Sequence, residues 1–142
     1  MSHYQNTCCA LIKQLNDSLE KYSNNRLRQD GLTIMQISVL VELDETTEKE
    51  LPLKDLERRF GVAQPTMLGI VRRMEQKGLT ETYFSQEDKR VKLVRLTSAG
   101  KEKCRFGYAY MDQAEQLLLK ALDDQEKQQF RQLLKKAKSS LQ

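Results

Sequence analysis

The chain has 142 residues, of which 39% are hydrophobic and 31% are charged, and its formal net charge is +4. This length suits one domain with a core that needs neither disulfides nor a metal, and the composition argues against a disordered chain or a membrane protein. No apolar run approaches the ~20 residues of a bilayer span and the N-terminus lacks a signal-peptide pattern, so we expect a cytoplasmic protein.

Helical periodicity begins at Cys8. From there, apolar residues recur three or four positions apart, which is the spacing of one helix face. They are Cys8, Ile12, Leu15, Leu19 and Tyr22. A second helix is predicted from Thr33 to about Leu43, because Thr33 and Gln36 form the pattern of a capping box. The acidic, polar segment 44–50 shows no periodicity and is predicted to be a loop.

Two further helices follow, with only a short turn between them. Pro52 is predicted to lie in the first turn of a brief helix that ends at Gly61. Pro65 opens the next helix, which ends at Gly78 and carries an apolar face that includes Met67. Two helices joined in this way form the helix-turn-helix pattern.

The periodicity then changes to that of strands. Residues 79–84 and 91–96 are rich in Thr, Tyr, Val and Leu, and a polar segment separates them, which predicts a hairpin. Thr97 is predicted to cap a long helix, and Asp123 with Glu126 is predicted to start a last one. The predicted fold is therefore mainly α with a small β-hairpin wing, a winged helix-turn-helix flanked by N- and C-terminal helices.

Polar and cationic side chains concentrate on the second helix of the pair and at the hairpin turn. A helix fits the major groove of DNA, and a β-ribbon reaches the backbone or the neighbouring minor groove. The side chains are Gln64, Thr66, Arg72, Arg73 and Lys77 on the helix, with Lys89 and Arg90 on the hairpin. This pattern predicts DNA binding, against the alternative of a solvated helix face. Arg59 and Arg95 are predicted to be ordinary surface charges.

Three segments carry a resemblance to a known family. They are residues 53–62, residues 65–79, and the wing Asp88-Lys89-Arg90 followed by Leu96-Thr97-Ser98-Ala99-Gly100. They resemble the MarR family of bacterial and archaeal regulators. The Asp-x-Arg wing, followed at a fixed distance by Leu-Thr-x-x-Gly, is the specific part of the resemblance, because helix-turn-helix spacing alone is a weak signal.

The resemblance implies how the chain would meet DNA. It implies that Arg90 enters the minor groove while Asp88 holds that arm in place. We predict that the pair lies in extended chain, where residues two apart share one face. The predicted DNA-binding residues are Gln64, Pro65, Thr66, Gly69, Arg72, Arg73, Asp88, Lys89 and Arg90.

The resemblance also implies an assembly and a role. It implies one domain over residues 1–142, in which about 1–30 and 98–142 form dimerisation helices and about 32–97 form the DNA-binding lobe. The homodimer would place two recognition helices roughly 34 Å apart on a pseudo-palindromic operator. We expect a transcriptional regulator acting as a repressor that a small-molecule effector releases from double-stranded DNA, without cofactor or metal.

The sequence departs from the family pattern at three positions. Gly69 stands where the family often has a polar or basic residue facing DNA, and Thr82 stands where an arginine commonly begins the wing. Ala63 is a poorer helix cap than Ser, Thr or Asp. These departures bear on which bases are read. Gly69 is also compatible with a close approach of the helix backbone to the groove.

Cysteine, histidine and tyrosine residues bear on three alternative kinds of site. Cys8 and Cys9 resemble the thiols of redox-sensing members of the family, although we favour small packing residues at a dimer interface. A metal site is disfavoured because His3 is the only histidine. Tyr22, Tyr108 and Met111 are candidate lining residues of a small-molecule pocket, although core packing is the commoner role of such residues.

The remaining alternatives come from other classes of protein. An enzyme has no support, since no nucleophile–base pair or phosphate loop is recognisable in the sequence. The last alternative is a winged helix that binds only protein.

Overall fold

The computed structural model describes residues 2–142, and residue 1 of the predicted domain lies outside this range. The described range holds the α-helices α1 (Cys8–Leu27), α2 (Ile34–Asp44), α3 (Leu53–Phe60), α4 (Gln64–Gln76), α5 (Ser98–Leu119) and α6 (Asp124–Ser139). Its strands are β1 (Glu50–Pro52), β2 (Thr80–Phe84) and β3 (Lys92–Leu96). The predicted fold class, mainly α with a small β wing, is confirmed. Over residues 2–142, no helix is both long enough and apolar enough to span a membrane.

Side chains and glycine set the predicted helix ends. At the start of α2, Thr33 Oγ1 accepts from the Gln36 backbone N–H at 3.1 Å, and Gln36 Oε1 accepts from that of Thr33 at 3.2 Å. Asp123 and Glu126 make the same reciprocal pair at the start of α6. Gly61 ends α3 with a φ of 62°, a left-handed conformation that glycine adopts without penalty. These predicted helix ends are confirmed.

The sheet has one strand more than predicted. Its order is β1-β3-β2, and both outer strands pair antiparallel to β3. Within the predicted loop 44–50, Glu50 belongs to β1 and pairs with Arg95. The prediction that Pro52 lies in the first turn of a helix is also wrong, because Pro52 ends β1 and immediately precedes α3. An edge strand tolerates proline, and three residues are too few to show a strand period.

A compact core holds the helix-turn-helix in place. Side chains with no exposed surface come from α2, α3, α4 and β3. They are Ile37, Val39, Leu40, Leu43, Leu56, Met67, Met74 and Val94. Because α4 contributes two of these residues, its orientation is fixed by packing against the neighbouring elements, and its opposite face lies at the surface.

The contacts divide the chain into two compact units. The first runs to Tyr110 and contains the helix-turn-helix, the sheet and the helices α1 and α2. The second is Met111–Gln142, where α6 carries Arg131, paired with Glu115 at 3.1 Å. The predicted division into a DNA-binding lobe over 32–97 and dimerisation helices on either side concerns the assembly and stays a prediction.

Candidate nucleic-acid interface

The outer face of α4 presents polar and cationic side chains. Met67, Ile70, Val71 and Met74 form its buried face. The predicted DNA-contacting residues Gln64, Pro65, Thr66, Arg72 and Arg73 are all exposed, and Gly69 is half-buried. None of the ion pairs within residues 2–142 includes either arginine. Both guanidinium groups therefore remain able to bind phosphate or a base edge.

The N-terminus of α4 has no side-chain cap. Ala63 occupies the N-cap position and cannot accept a hydrogen bond through its side chain, as the sequence indicated. The first N–H groups of a helix have no partner within the helix and carry a partial positive charge. Since Gln64 and Thr66 lie at this end, the start of α4 offers both backbone donors and polar side chains to a ligand.

Lys77, which the sequence grouped with the cations of this helix, is tied to the protein itself. It is the C-cap of α4, and its ammonium donates to the Gly31 carbonyl and, at 2.9 Å, to Gln36 Oε1. Gln36 is buried and also belongs to the capping box of α2. Lys77 therefore fastens the end of α4 to the start of α2, a role that sequence spacing alone did not reveal.

The wing turn holds Arg90 outward. Asp88 accepts the Arg90 side chain through two bonds, from Nε to Oδ1 at 3.1 Å and from Nη2 to Oδ2 at 3.3 Å. Asp88 Oδ1 also accepts the Arg90 backbone N–H at 3.1 Å. The arginine side chain nevertheless remains 91% exposed. The carboxylate thus orients the guanidinium and leaves much of it free to meet a partner.

The pair forms in a turn, so the prediction of extended chain at Asp88 and Arg90 is wrong. The Asp88 carbonyl accepts the Val91 N–H at 2.9 Å, which closes a tight turn. Ser85 braces the same turn by accepting from the backbone of Glu87 at 3.3 Å and of Asp88 at 3.4 Å. Asp side chains often bond the backbone two residues on, and this local bond brings the two side chains together.

The Asp88–Arg90 contact has a consequence for proton binding. The side-chain hydrogen bond from Arg90, with a smaller contribution from the Arg90 backbone N–H, lowers the pKa of the Asp88 carboxyl below its ordinary value. Asp88 therefore adds stability above its unfolded pKa, and this contribution is lost as the pH falls through the lower folded pKa. In an NMR titration, we expect Arg90→Ala to raise the Asp88 midpoint and Lys89→Ala to leave it unchanged. An unchanged midpoint in Arg90→Ala would show that the pair is absent in solution.

Two further wing residues were not predicted. Lys92 lies opposite Phe84 in the hairpin, with its Nζ 5.5 Å from the ring centroid, and Phe84 is 57% exposed. Lys89 and Lys92 are both absent from the ion pairs formed by residues 2–142. The signal that could have identified Lys92 is its register opposite an exposed aromatic residue, and that register depends on the turn.

The two arginines predicted to be surface charges are neutralised locally. Arg95 pairs with Glu81 at 2.6 Å, and its guanidinium lies 4.7 Å from the centroid of Tyr83. Arg59 pairs with Glu42 at 3.4 Å. Both side chains remain partly exposed, which agrees with the prediction. Within the described part of the chain, Arg72, Arg73, Lys89 and Lys92 differ from them in having no carboxylate partner.

The Leu-Thr-x-x-Gly motif joins the wing to α5. Leu96 is buried, and Thr97 Oγ1 accepts the Gly100 N–H at 3.0 Å and donates to the Gly78 carbonyl at 2.6 Å. A Cβ on Gly100 would collide with the Leu79 carbonyl oxygen, so only glycine permits this approach. The motif therefore fixes the position of the hairpin at its base, at the opposite end from the turn that holds Arg90.

The three cysteines lie in two environments. Cys8 and Cys9 are exposed in the first turn of α1, and their predicted packing at a dimer interface stays a prediction. Cys104 is buried and donates to the Gly100 carbonyl at 3.2 Å. Burial, with a smaller contribution from Asp44, raises the pKa of Cys104 to about 11. Cys104 is therefore a protonated packing residue at neutral pH.

Helix, turn, helix and hairpin, with cationic side chains on the outer helix face and the wing, define a winged helix-turn-helix protein. A model of the MarR family matches residues 30–91. The uncharacterised HTH-type transcriptional regulator YwoH of Bacillus subtilis is 32% identical over 128 residues, covering 88% of this chain and 91% of YwoH. The chain belongs to the MarR family of transcriptional regulators.

Solved structures agree with this family. A probable transcriptional regulator from Pseudomonas aeruginosa has a TM-score of 0.86 and 27% identity, covering 95% of this chain and 99% of that one. The S. aureus MepR–DNA complex has a TM-score of 0.87 and 25% identity, covering 94% of this chain and 98% of MepR. The backbone of the whole winged helix-turn-helix therefore has counterparts among regulators, one of them bound to DNA.

Proposed function

We propose that this chain represses transcription as a homodimer that binds a pseudo-palindromic operator. The observation that carries the proposal is the set of exposed or half-buried cations on α4 and the wing that have no carboxylate partner within residues 2–142. They are Arg72, Arg73, Lys89 and Lys92. Cations that no carboxylate neutralises are the groups that bind phosphates and release counterions when DNA binds. The likeness to MepR in its DNA complex supports the same ligand.

The two elements would divide the work of recognition. In the proposed complex, α4 enters the major groove with Gln64 and Thr66 at its leading end, where side chains reach base edges. The wing places Arg90 in the minor groove, whose negative potential attracts arginine where the groove is narrow. Asp88 supports this contact by holding the guanidinium in one orientation before DNA arrives.

Exposed apolar side chains support the proposed dimer. On α1, Leu11, Ile12 and Leu15 are 43%, 53% and 41% exposed. On α6, Leu133 and Leu134 are 63% and 45% exposed. Apolar stripes left in water promote association, and a second copy of the chain would cover them. Dimerisation would also bring two copies of α4 to one operator.

We expect sedimentation to show a dimer at micromolar concentration. Leu134→Glu should shift the chain towards monomer and weaken operator binding at least tenfold, because it buries a charge in the proposed interface. Gln128→Glu adds the same charge at an exposed position on the opposite side of α6 and should leave the dimer intact. A soluble, folded wild-type monomer at that concentration would contradict the proposed assembly.

We assign the proposed effector to a groove in the first unit. The groove has a volume of about 750 Å³ and is lined by the α1–α2 junction, the end of α4 and the start of α5, including Gly31, Lys77, Lys103 and Phe106. Tyr22 and Tyr108, two of the three residues that the sequence suggested for a pocket, are not among those that line this groove. Tyr22 stacks on Tyr110 with centroids 6.3 Å apart, and the Tyr108 hydroxyl donates to Asp44 at 3.0 Å. A ligand beside Lys77 would compete for the contact that fastens α4.

A further inference from the structure

Gly69 is the sixth residue of the thirteen in α4 and lies on its outer side. The helical period places it near Pro65 and between the bases of Arg72 and Arg73, away from the buried residues Met67 and Ile70. The outer face of α4 therefore has no side chain at its centre, between the Pro65 ring and the two arginines, and the Arg73 guanidinium is the group nearest to this position.

Nothing in the described chain requires glycine at this position. Its φ is not among the positive ones, which belong to Gly31, Gly61 and Gly78. Within residues 2–142, a Cβ built on Gly69 would meet only the guanidinium of Arg73, at 3.7 and 3.8 Å, which is ordinary contact. Glycine in a helix interior is destabilising relative to alanine. The folded protein would therefore tolerate alanine here and become more stable.

We propose that Gly69 is a specificity-determining residue whose missing side chain makes room for a thymine C5-methyl group. The inference rests on the proposed entry of α4 into the major groove, where thymine is the base that presents a methyl group. The Pro65 ring and the Gly69 Cα form an apolar floor, and apolar contact is how proteins read that methyl. Arg72 and Arg73 flank the floor and can bind the neighbouring bases or phosphates.

The first test separates stability from recognition. Gly69→Ala is expected to raise Tm by about 3 °C, because alanine favours the helix. The same variant is expected to bind the operator selected by the wild type roughly tenfold more weakly, and random duplex equally well. A lower Tm would show that the fold itself needs glycine, and an equal loss on both duplexes would show a general effect. Either result would overturn the inference.

The second test combines Gly69→Ala, which adds a methyl group to the protein, with DNA in which one thymine methyl group has been removed. Each operator thymine is replaced in turn by deoxyuridine, which lacks only the C5-methyl. At one position in each half-site, the wild type should prefer thymine, whereas Gly69→Ala should bind uracil as well as or better than thymine, because its own methyl fills the space. The absence of any such position would overturn the inference while leaving DNA binding by the wild type intact. A wild type that binds no duplex would defeat the proposed function as well.

Discussion

Replacing Arg90 with alanine is expected to weaken binding to the operator and to random duplex by a similar factor, roughly tenfold at low salt. The Arg90 side chain is 91% exposed and held by Asp88, so its loss removes a contact without disturbing the core. Because that contact is mainly electrostatic, the slope of log K against log salt should become shallower by about 1 to 2 for a dimer.

Two variants complete the Arg90 experiment. Asp88→Ala should show a smaller loss, because it leaves the arginine unoriented but also removes a negative charge from the wing. Arg131→Ala removes an arginine from a comparable exposed ion pair on α6 and should bind DNA as the wild type does. If Arg90→Ala and Asp88→Ala both match the wild type across a salt titration, the proposed role of the wing is wrong.

Replacing Thr66 or Gln64 with alanine is expected to affect specificity. Both residues are exposed at the start of α4, where side chains reach base edges in the proposed complex. We expect the binding free energy for the operator to weaken by about 1–3 kcal/mol and that for random duplex to change little. The ratio of operator affinity to random-duplex affinity should therefore fall.

Thr47→Ala is the matched control for Thr66→Ala, since Thr47 is exposed in the segment between α2 and β1, outside both DNA-contacting elements. If Thr66→Ala weakens binding to operator and random duplex equally, Thr66 contacts the DNA backbone. If Thr66→Ala and Gln64→Ala both keep full affinity for the operator, the proposed direction of α4 is wrong.

Sequence patterns predicted the parts of the fold that depend on local chemistry. The capping boxes at Thr33 and Asp123 require only side chains three residues apart, and both formed as predicted. The strand β1 was missed because its three residues carry no period and exist as a strand only through pairing with β3, more than 40 residues away. Pairing at that separation is a property of the folded chain that periodicity does not contain.

The sequence predicted which residues belong to the candidate site but not the backbone conformation and contacts that position them. The prediction that Asp88 and Arg90 meet is confirmed, although they meet in a tight turn, which depends on Ser85 and Val91 as well. The sequence grouped Lys77 and Arg73 as equivalent cations. In the structure Lys77 donates to Gly31 and Gln36, whereas Arg73 forms no ion pair within residues 2–142. Such differences depend on which element packs nearby, and no spacing rule supplies that information.

The same limit applies to Gly69. A glycine can serve a special backbone conformation, a close contact inside the protein or an approach to a ligand, and for Gly69 the sequence suggested only an approach to DNA. The structure removes the first two explanations within residues 2–142, since its φ is not positive and a Cβ would fit. The approach to DNA is the explanation on which the proposal for Gly69 rests.

The most direct test of the central claim, that α4 and the wing bind DNA through their cationic side chains, is a salt titration of the wild-type protein on its operator. We expect log K to fall linearly and steeply with log salt, with a slope no steeper than about −9 for a dimer that uses Arg72, Arg73, Lys89, Arg90 and Lys92 on both protomers. No measurable affinity for the operator at low salt, or an affinity that salt does not change, would contradict it.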